Sequence, residues 1–373
     1  MKILELTNFS AGICGVWQRV KQESEMLSKN HEVLVLSSNI IKGTENIAPE
    51  KEIIGKIKIS RFPAKKLGGE SFMKWLGKDA EKIAIEFKPD AIFAHSYRHL
   101  HTLKALKLAQ KTGAKCFLIT HAPFERKRGI IQNSIVYLYD LLVGKRTINK
   151  FDRIIAITKW EIPYFKKLGI SKEKIAYIPN GIPDEFFRQK NPKIKEENKI
   201  LFLGRIAPIK NIEILIKSAS LIKDKKIFIE IVGPVEKEYF EKLEKIVKEF
   251  NLEKKIVFSP PVYNLAEKIK KIDSCKIFVL PSISEGMPQS LIEAMARGKI
   301  VIASRNSGNA DLIQDSKNGY LFNTLNEKDL ADKINLASEN NKENKKIKEN
   351  TEKSVKEFAW SRIIREIEKL LTN

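Results

Sequence analysis

Cysteine is scarce in this chain: Cys14, Cys116 and Cys275 are the only three in 373 residues, far apart and without a C-x-x-C pair. That excludes a disulfide scaffold and a structural zinc site and predicts a reduced, cytoplasmic protein. Long apolar runs are missing too. No stretch approaches the roughly 20 residues of a membrane span. The nearest, Gly129 to Gly144, is interrupted by Gln132, Asn133 and Asp140 and reads as a core helix. No signal peptide is expected, because Met1-Lys2-Ile3-Leu4-Glu5-Leu6 carries an acidic residue and runs straight into a strand-like segment. Aromatics make up 8% and do not interleave with the basic clusters, and no helix-turn-helix, zinc-finger or RNP-type pattern occurs, so no nucleic-acid partner is expected. A D-x-D pair, the usual sign of a divalent ion holding a diphosphate, is absent, as is any repeat of solenoid period.

What is abundant is lysine. The net charge is +22, and it is uneven: residues 1 to 190 hold 34 basic and 19 acidic side chains, residues 191 to 373 hold 34 and 27. Clusters such as Lys65-Lys66, Arg126-Lys127-Arg128 and Lys166-Lys167 could hold the first half on an anionic membrane face, at about 1 kcal/mol per basic side chain near the surface. The competing explanation is compositional, since Lys and Ile are frequent throughout the chain.

The length suits two α/β domains, each with its own core. Strand-like runs alternate with amphipathic helical ones, the pattern of parallel α/β layers. The first half offers KILELT, HEVLVLSS, IKISRF, DAIFAHS, KCFLITH, RIIAIT and KIAYIP; the second offers KILFLG, KIFIEIVG, KIVFSP, KIFVLP and KIVIAS. A polar segment with Pro192, Asp184 to Asn198, separates the two sets and marks the boundary. The later stretch Asn326 to Asn350 reads as exposed, solvated helix.

Two segments carry the chemistry. Glu285-Gly286-Met287-Pro288-Gln289-Ser290-Leu291-Ile292-Glu293 sets two carboxylates eight residues apart around a turn that enters an apolar helix. A helix start offers N–H groups and the positive dipole end to phosphate, and a carboxylate one turn further in can accept both hydroxyls of a ribose. Upstream, the strand Lys199 to Leu203 leads into Gly204-Arg205-Ile206-Ala207-Pro208-Ile209-Lys210, which places two cations on one strand-to-helix loop. Fixed cations of this kind stabilise the charge developing on a leaving diphosphate.

Together G-R-x5-K and E-x7-E, about eighty residues apart, resemble glycosyltransferase family 4, the retaining glycosyltransferases of GT-B fold. Ile178-Pro179-Asn180-Gly181-Ile182, SGNADLI from Ser307, NGYLF from Asn318 and FAWSRI from Phe358 extend the resemblance over most of the chain. It implies two Rossmann-like doubly wound domains facing across a cleft: residues 1–185 on the acceptor side, completed by a C-terminal helix over 358–373, and residues 186–357 binding the nucleotide sugar. It implies a hexosyltransferase that uses a nucleoside-diphosphate sugar without a cofactor or metal. The acceptor would be a glycan, glycolipid or polyprenyl-linked chain, and the enzyme peripheral at the membrane or wholly cytoplasmic.

The same resemblance assigns roles. Arg205 and Lys210 take up the diphosphate charge, with Gly204, Gly286, Met287 and Pro288 around it; Pro288 itself has no N–H to give. Glu293 holds ribose, while Glu285 and His121 orient the sugar. Gly15, in the loop after the first strand, contacts phosphate; Cys14 stands where the family usually has a second glycine. His95, ending DAIFAHS, is assigned to the acceptor. Epimerases and hydrolases of the same fold would use the same donor site without an acceptor, and an inactive sugar-nucleotide-binding scaffold is a further alternative, against which the intact Arg205, Lys210, Glu285 and Glu293 argue.

Overall fold

Strands that are apolar on both faces bury both faces, and this requires helices above and below a parallel sheet. The computed structural model, which describes residues 1–12, 14–67, 69–124 and 130–372, has two such sheets. They belong to two units: Met1–Gly181 together with the chain from Trp360 onward, and Ile182–Ala359.

The first unit contains β1 (Lys2–Phe9), β2 (Glu32–Ser38), β3 (Lys51–Ile54), β4 (Ile57–Phe62), a short pair β5 (Lys65–Lys66) and β6 (Met73–Lys74), then β7 (Ala91–His95), β8 (Lys115–Ile119), β9 (Arg153–Ala156) and β10 (Ile175–Tyr177). Its large sheet runs β10-β9-β8-β7-β1-β2-β4-β3, parallel except for β3 against β4. The second unit contains β11 (Lys199–Leu203), β12 (Phe228–Val232), β13 (Ile256–Ser259), β14 (Ile277–Leu280), β15 (Ile300–Ser304) and β16 (Tyr320–Phe322). These form an all-parallel sheet in the order β13-β12-β11-β14-β15-β16. In both sheets the order reverses beside the first strand, the arrangement of a doubly wound dinucleotide-type fold.

All twelve expected strands form, and the sequence reading missed two that complete the large sheets. β3 is an exposed antiparallel edge of four residues, and β16 lies inside NGYLF, too short for an alternation to register. Three expectations need correction. Gly129 to Gly144 is not a core helix: the helix Ile130–Tyr139 and the π turn Asp140–Gly144 leave Ile135, Tyr137, Leu138, Leu141 and Leu142 exposed. The stretch Asn326 to Asn350 is not solvated all round. The helices Glu327–Ser338 and Lys342–Ser354 bury Leu330, Ile334, Ala337 and Ile347 on one face. The division falls between Gly181 and Ile182 rather than after residue 185, because Ile182 and Phe186 are fully embedded in the second core. The Arg126-Lys127-Arg128 cluster lies outside the described residues. Among the described residues no helix is long and apolar enough to cross a membrane.

The final helix, Trp360–Thr372, returns to the first unit because one face is apolar: Ile363, Ile364, Ile367 and Leu371 are buried, each worth roughly 1.5–3 kcal/mol. Trp360 anchors its start, with its indole N–H donated to Gln22 Oε1 at 2.8 Å and the Arg19 guanidinium 5.8 Å from the ring. The ring also covers Gly181 so closely that an added Cβ would lie 2.4 Å from Trp360 Cδ2. Gly181→Ala should therefore lower stability by about 1–3 kcal/mol, the range for overpacking a filled site; an unchanged denaturant midpoint would contradict this account of the helix anchor.

Candidate active site

In an open parallel sheet, connections on the two sides of a reversal leave in opposite directions and open a crevice at the carboxyl edge. In the second unit that edge lies between β11 and β14. The loop after β11 carries Gly204 and Arg205 and closes in a short 3-10 turn, Pro208–Lys210. The loop after β14 runs through Glu285 to the helix Gln289–Ala296. The two loops are bonded to each other: the Ile283 N–H donates to Ile209 O at 2.9 Å, and Asn211 Nδ2 to Pro281 O at 3.3 Å.

Across this crevice Lys210 Nζ meets Glu285 Oε1 at 2.6 Å, with both side chains largely buried. Arg205 shares the loop but not the pair. It is half exposed and donates to Glu236 Oε1 at 2.8 Å. Behind Glu285 the backbone is locked, since a Cβ on Gly308 would lie 2.2 Å from Glu285 O and 2.6 Å from Gly286 O. A buried polar net holds the same wall: Asn306 Nδ2 donates to Ser282 O at 3.0 Å, Asn309 Nδ2 to Ser304 O at 2.8 Å, and Ser304 Oγ also bonds Ser282 O.

The helix that follows has Pro288 at its N-cap, which makes no side-chain capping bond. Met287 packs partly buried against the core at its mouth. One turn in, Glu293 is 4% exposed. Its Oε1 receives Lys268 Nζ at 2.6 Å, while Oε2 is buried with no hydrogen-bond partner among the described residues. Burial pushes the carboxyl above its ordinary range and Lys268 pulls it back. An unpaired, buried carboxylate oxygen is costly, and hydroxyl donors would relieve that cost.

The first unit has its own reversal, between β1 and β7. Gly15 opens the helix Gly15–Leu27 just after β1, and a Cβ there would meet nothing within 4 Å. His121 and Ala122 follow β8 with φ of +58° and +51°, a left-handed pair that non-glycine residues seldom adopt. Glu161 holds it: Oε1 accepts the Ala122 N–H at 2.9 Å, while Oε2 accepts the N–H groups of Ile157 and Thr158 at 3.1 and 3.0 Å. The assignment of His95 to an acceptor is corrected. His95 is wholly buried and both ring nitrogens are engaged, Nε2 with Glu5 Oε2 at 2.7 Å and Nδ1 with His121 Nε2 at 2.9 Å.

The structure thus brings Lys210 to Glu285 and places Glu293 on the helix entered from that loop, and it joins His95 to His121. Glu5, Glu161 and Lys268 were not singled out from sequence as site residues. Glu5 had a visible signal, a carboxylate among the apolar residues Ile3, Leu4 and Leu6 of β1. Glu161 had one as well, the capping-box pattern Thr158-x-x-Glu161, whereas Lys268 had none, since it sits in a helix rich in lysine.

Comparison with known proteins bears on the family and the fold. The family model described as Glycosyltransferase Family 4 matches residues 13–186, and that described as Glycosyl transferases group 1 matches residues 183–354. An uncharacterized glycosyltransferase of Methanocaldococcus jannaschii is 29% identical over 66% of this chain and 65% of its own. N,N'-diacetylbacillosaminyl-diphospho-undecaprenol alpha-1,3-N-acetylgalactosaminyltransferase of Campylobacter jejuni is 28% identical over 56% of this chain and 54% of its own. The chain therefore spans between about half and two thirds of the length of these curated relatives. Among solved structures, Anabaena HepE in complex with UDP superposes with a TM-score of 0.79 at 18% identity, covering 100% of both chains. A glycosyltransferase of Rickettsia africae gives 0.77 at 17% identity, covering 100% of this chain and 97% of its own. With two family models in tandem from residue 13 to residue 354 and two doubly wound sheets beneath them, the chain belongs to glycosyltransferase family 4, the group 1 glycosyltransferases of GT-B fold.

Proposed function

We propose that this glycosyltransferase moves a hexose from a nucleoside-diphosphate sugar to an acceptor hydroxyl with retention of configuration. The observation that carries the reading is the Lys210–Glu285 pair at the β11/β14 edge, with Glu293 one turn into the helix beyond it. Glu293 Oε2, buried without a partner among the described residues, suits a ribose hydroxyl. Lys210 keeps ammonium donors beyond the one Glu285 takes, and Arg205 keeps guanidinium donors beyond the one given to Glu236. Both can turn to a diphosphate, so that the charge developing as the glycosidic bond breaks is met by side-chain cations, without a metal ion. N–H groups around Gly286 and Met287 add to that stabilisation, and Glu285 orients the sugar. The UDP and UDP-glucose complexes of HepE support a nucleotide sugar as donor.

A membrane-linked glycan or glycolipid is proposed as acceptor. The support is the exposed apolar surface of Tyr137, Leu138, Leu141 and Leu142, which continues into exposed Lys145 and Arg146, with Lys166 and Lys167 also exposed on the helix Ile162–Lys167. Apolar burial plus cation attraction is what holds a surface helix on anionic lipid. The undecaprenol-linked substrate in the Campylobacter relative's name, and the poly(ribitol-phosphate) in that of a Staphylococcus aureus relative, support a polymeric or lipid-borne acceptor.

Lys210→Ala is expected to lower kcat by about 10²–10³, the effect of removing one charge-stabilising donor, with a smaller change in donor KM; turnover at the wild-type rate would remove Lys210 from the diphosphate. In flotation with vesicles containing anionic lipid, the wild-type chain should bind and Leu138→Glu/Leu141→Glu should not. Absence of wild-type binding, or equal binding by both, would remove the membrane from this account.

A further inference from the structure

β1, β7 and β8 are neighbours in the first sheet, with Glu5 opposite Phe93 and Phe93 opposite Phe117. His95 lies two residues beyond Phe93, and His121 four beyond Phe117, so Glu5, His95 and His121 climb diagonally across three strands towards the carboxyl edge. Their side chains touch in series: Glu5 Oε2 to His95 Nε2 at 2.7 Å, and His95 Nδ1 to His121 Nε2 at 2.9 Å. Glu5 and His95 are fully buried, whereas His121 is half-buried, and its Nδ1 has no hydrogen-bond partner among the described residues.

We propose that Glu5, His95 and His121 form a proton line that takes up or releases one proton at His121 Nδ1, with Glu5 as its inner terminus. Each hydrogen bond has one proton and two possible directions. With Glu5 protonated, its O–H donates to His95 Nε2, His95 Nδ1–H donates to His121 Nε2, and His121 Nδ1 carries a proton outward. With Glu5 ionised, His95 Nε2–H donates to Glu5, His121 Nε2–H donates to His95 Nδ1, and His121 Nδ1 is a bare acceptor. The two states differ by one proton. It leaves from His121 Nδ1 while the inner protons each move one site, so neither imidazole becomes a buried cation.

The surroundings favour this line over two independent histidines. Burial holds His95 down to about 3 and His121 well below the ordinary imidazole value, and it raises Glu5 to about 8. Glu5 Oε1 is buried without a partner among the described residues, which a neutral carboxyl tolerates better than a carboxylate. Arg19 and Glu23, on the helix packed over this face, pair with each other at 2.8 Å. Arg19 is further held by Pro179 O and Asn180 Oδ1, both at 2.9 Å. Of the remaining histidines nearby, His101 gives its Nε2 to His95 O at 2.7 Å, and His99 Nδ1 bonds Asn8 Nδ2 at 2.8 Å. Glu5 acts only through the histidines and is a positioning residue.

The proposal relies on the glycosyl-transfer reading only for what the proton is used for; the tautomer of His121 can be read without donor or acceptor, so the two fail separately. The full chain, labelled with ¹⁵N-histidine and assigned with His121→Asn, is titrated by NMR. His121 should exchange a protonated Nδ1 for a bare one as pH rises through about 8, with no imidazolium pattern, and Glu5→Gln should abolish the exchange. One unchanging tautomer, an ordinary titration near 6.5, or an exchange that survives Glu5→Gln would overturn the proposal; the first two are visible in the wild-type chain even if the variant fails to fold. Stability gives an independent readout. The folded chain keeps the Glu5 proton from about 4.5, where the unfolded carboxyl ionises, up to about 8, so Glu5 makes stability fall with rising pH across that window. Glu5→Gln should flatten the fall, and parallel Tm curves for the two chains would count against the line.

Discussion

The reversal of strand order beside the first strand of each sheet is the constraint on which the rest depends. Because β12 and β14 flank β11 on opposite sides, their connecting helices diverge and leave the carboxyl edge between two loops uncovered. Lys210 and Glu285 stand on those loops, and the helix carrying Glu293 begins where the second one ends. The same reversal between β1 and β7 sets Glu5 beside His95. A different strand order with the same residues would scatter both groups.

Charge compensation is the second theme. The carboxylates Glu285 and Glu293 each hold a lysine at 2.6 Å, and the buried Arg19 holds Glu23 at 2.8 Å. Removing one member of such a pair leaves the other buried and unpaired, which costs more than the pair itself contributes. The pairs therefore serve arrangement more than stability. In the proposed reading, a diphosphate approaching Lys210 would compete with Glu285 for its donors, which would couple ligand binding to the orientation of Glu285 through one ammonium group.

The regular fold was legible because its strands are short apolar runs between turn residues and its helices keep an apolar stripe, as in Lys237–Glu249 with buried Tyr239, Leu243 and Val247. β3 and β16 were not, since four residues without a buried one, or three buried ones, give no period to read. Composition misled at Tyr137 to Leu142, where an apolar helix looks the same whether a core or solvent faces it. Within the site, the loop positions of Arg205, Lys210 and Glu285 and the helical position of Glu293 follow from motif spacing. Their partners do not: Lys268 lies 25 residues from Glu293 and Glu5 lies 90 from His95, and only the folded sheet brings each pair together.

The most direct test of the donor site is thermal stabilisation of the purified chain by a panel of nucleoside diphosphates and their sugars, with EDTA throughout and Glu293→Gln alongside. A ligand at about 100 times its Kd adds roughly 2.7 kcal/mol. The account predicts a clear upward shift with one diphosphate family and a much smaller one in Glu293→Gln. No shift with any of them in a folded wild-type chain, or an equal shift in both chains, would contradict it.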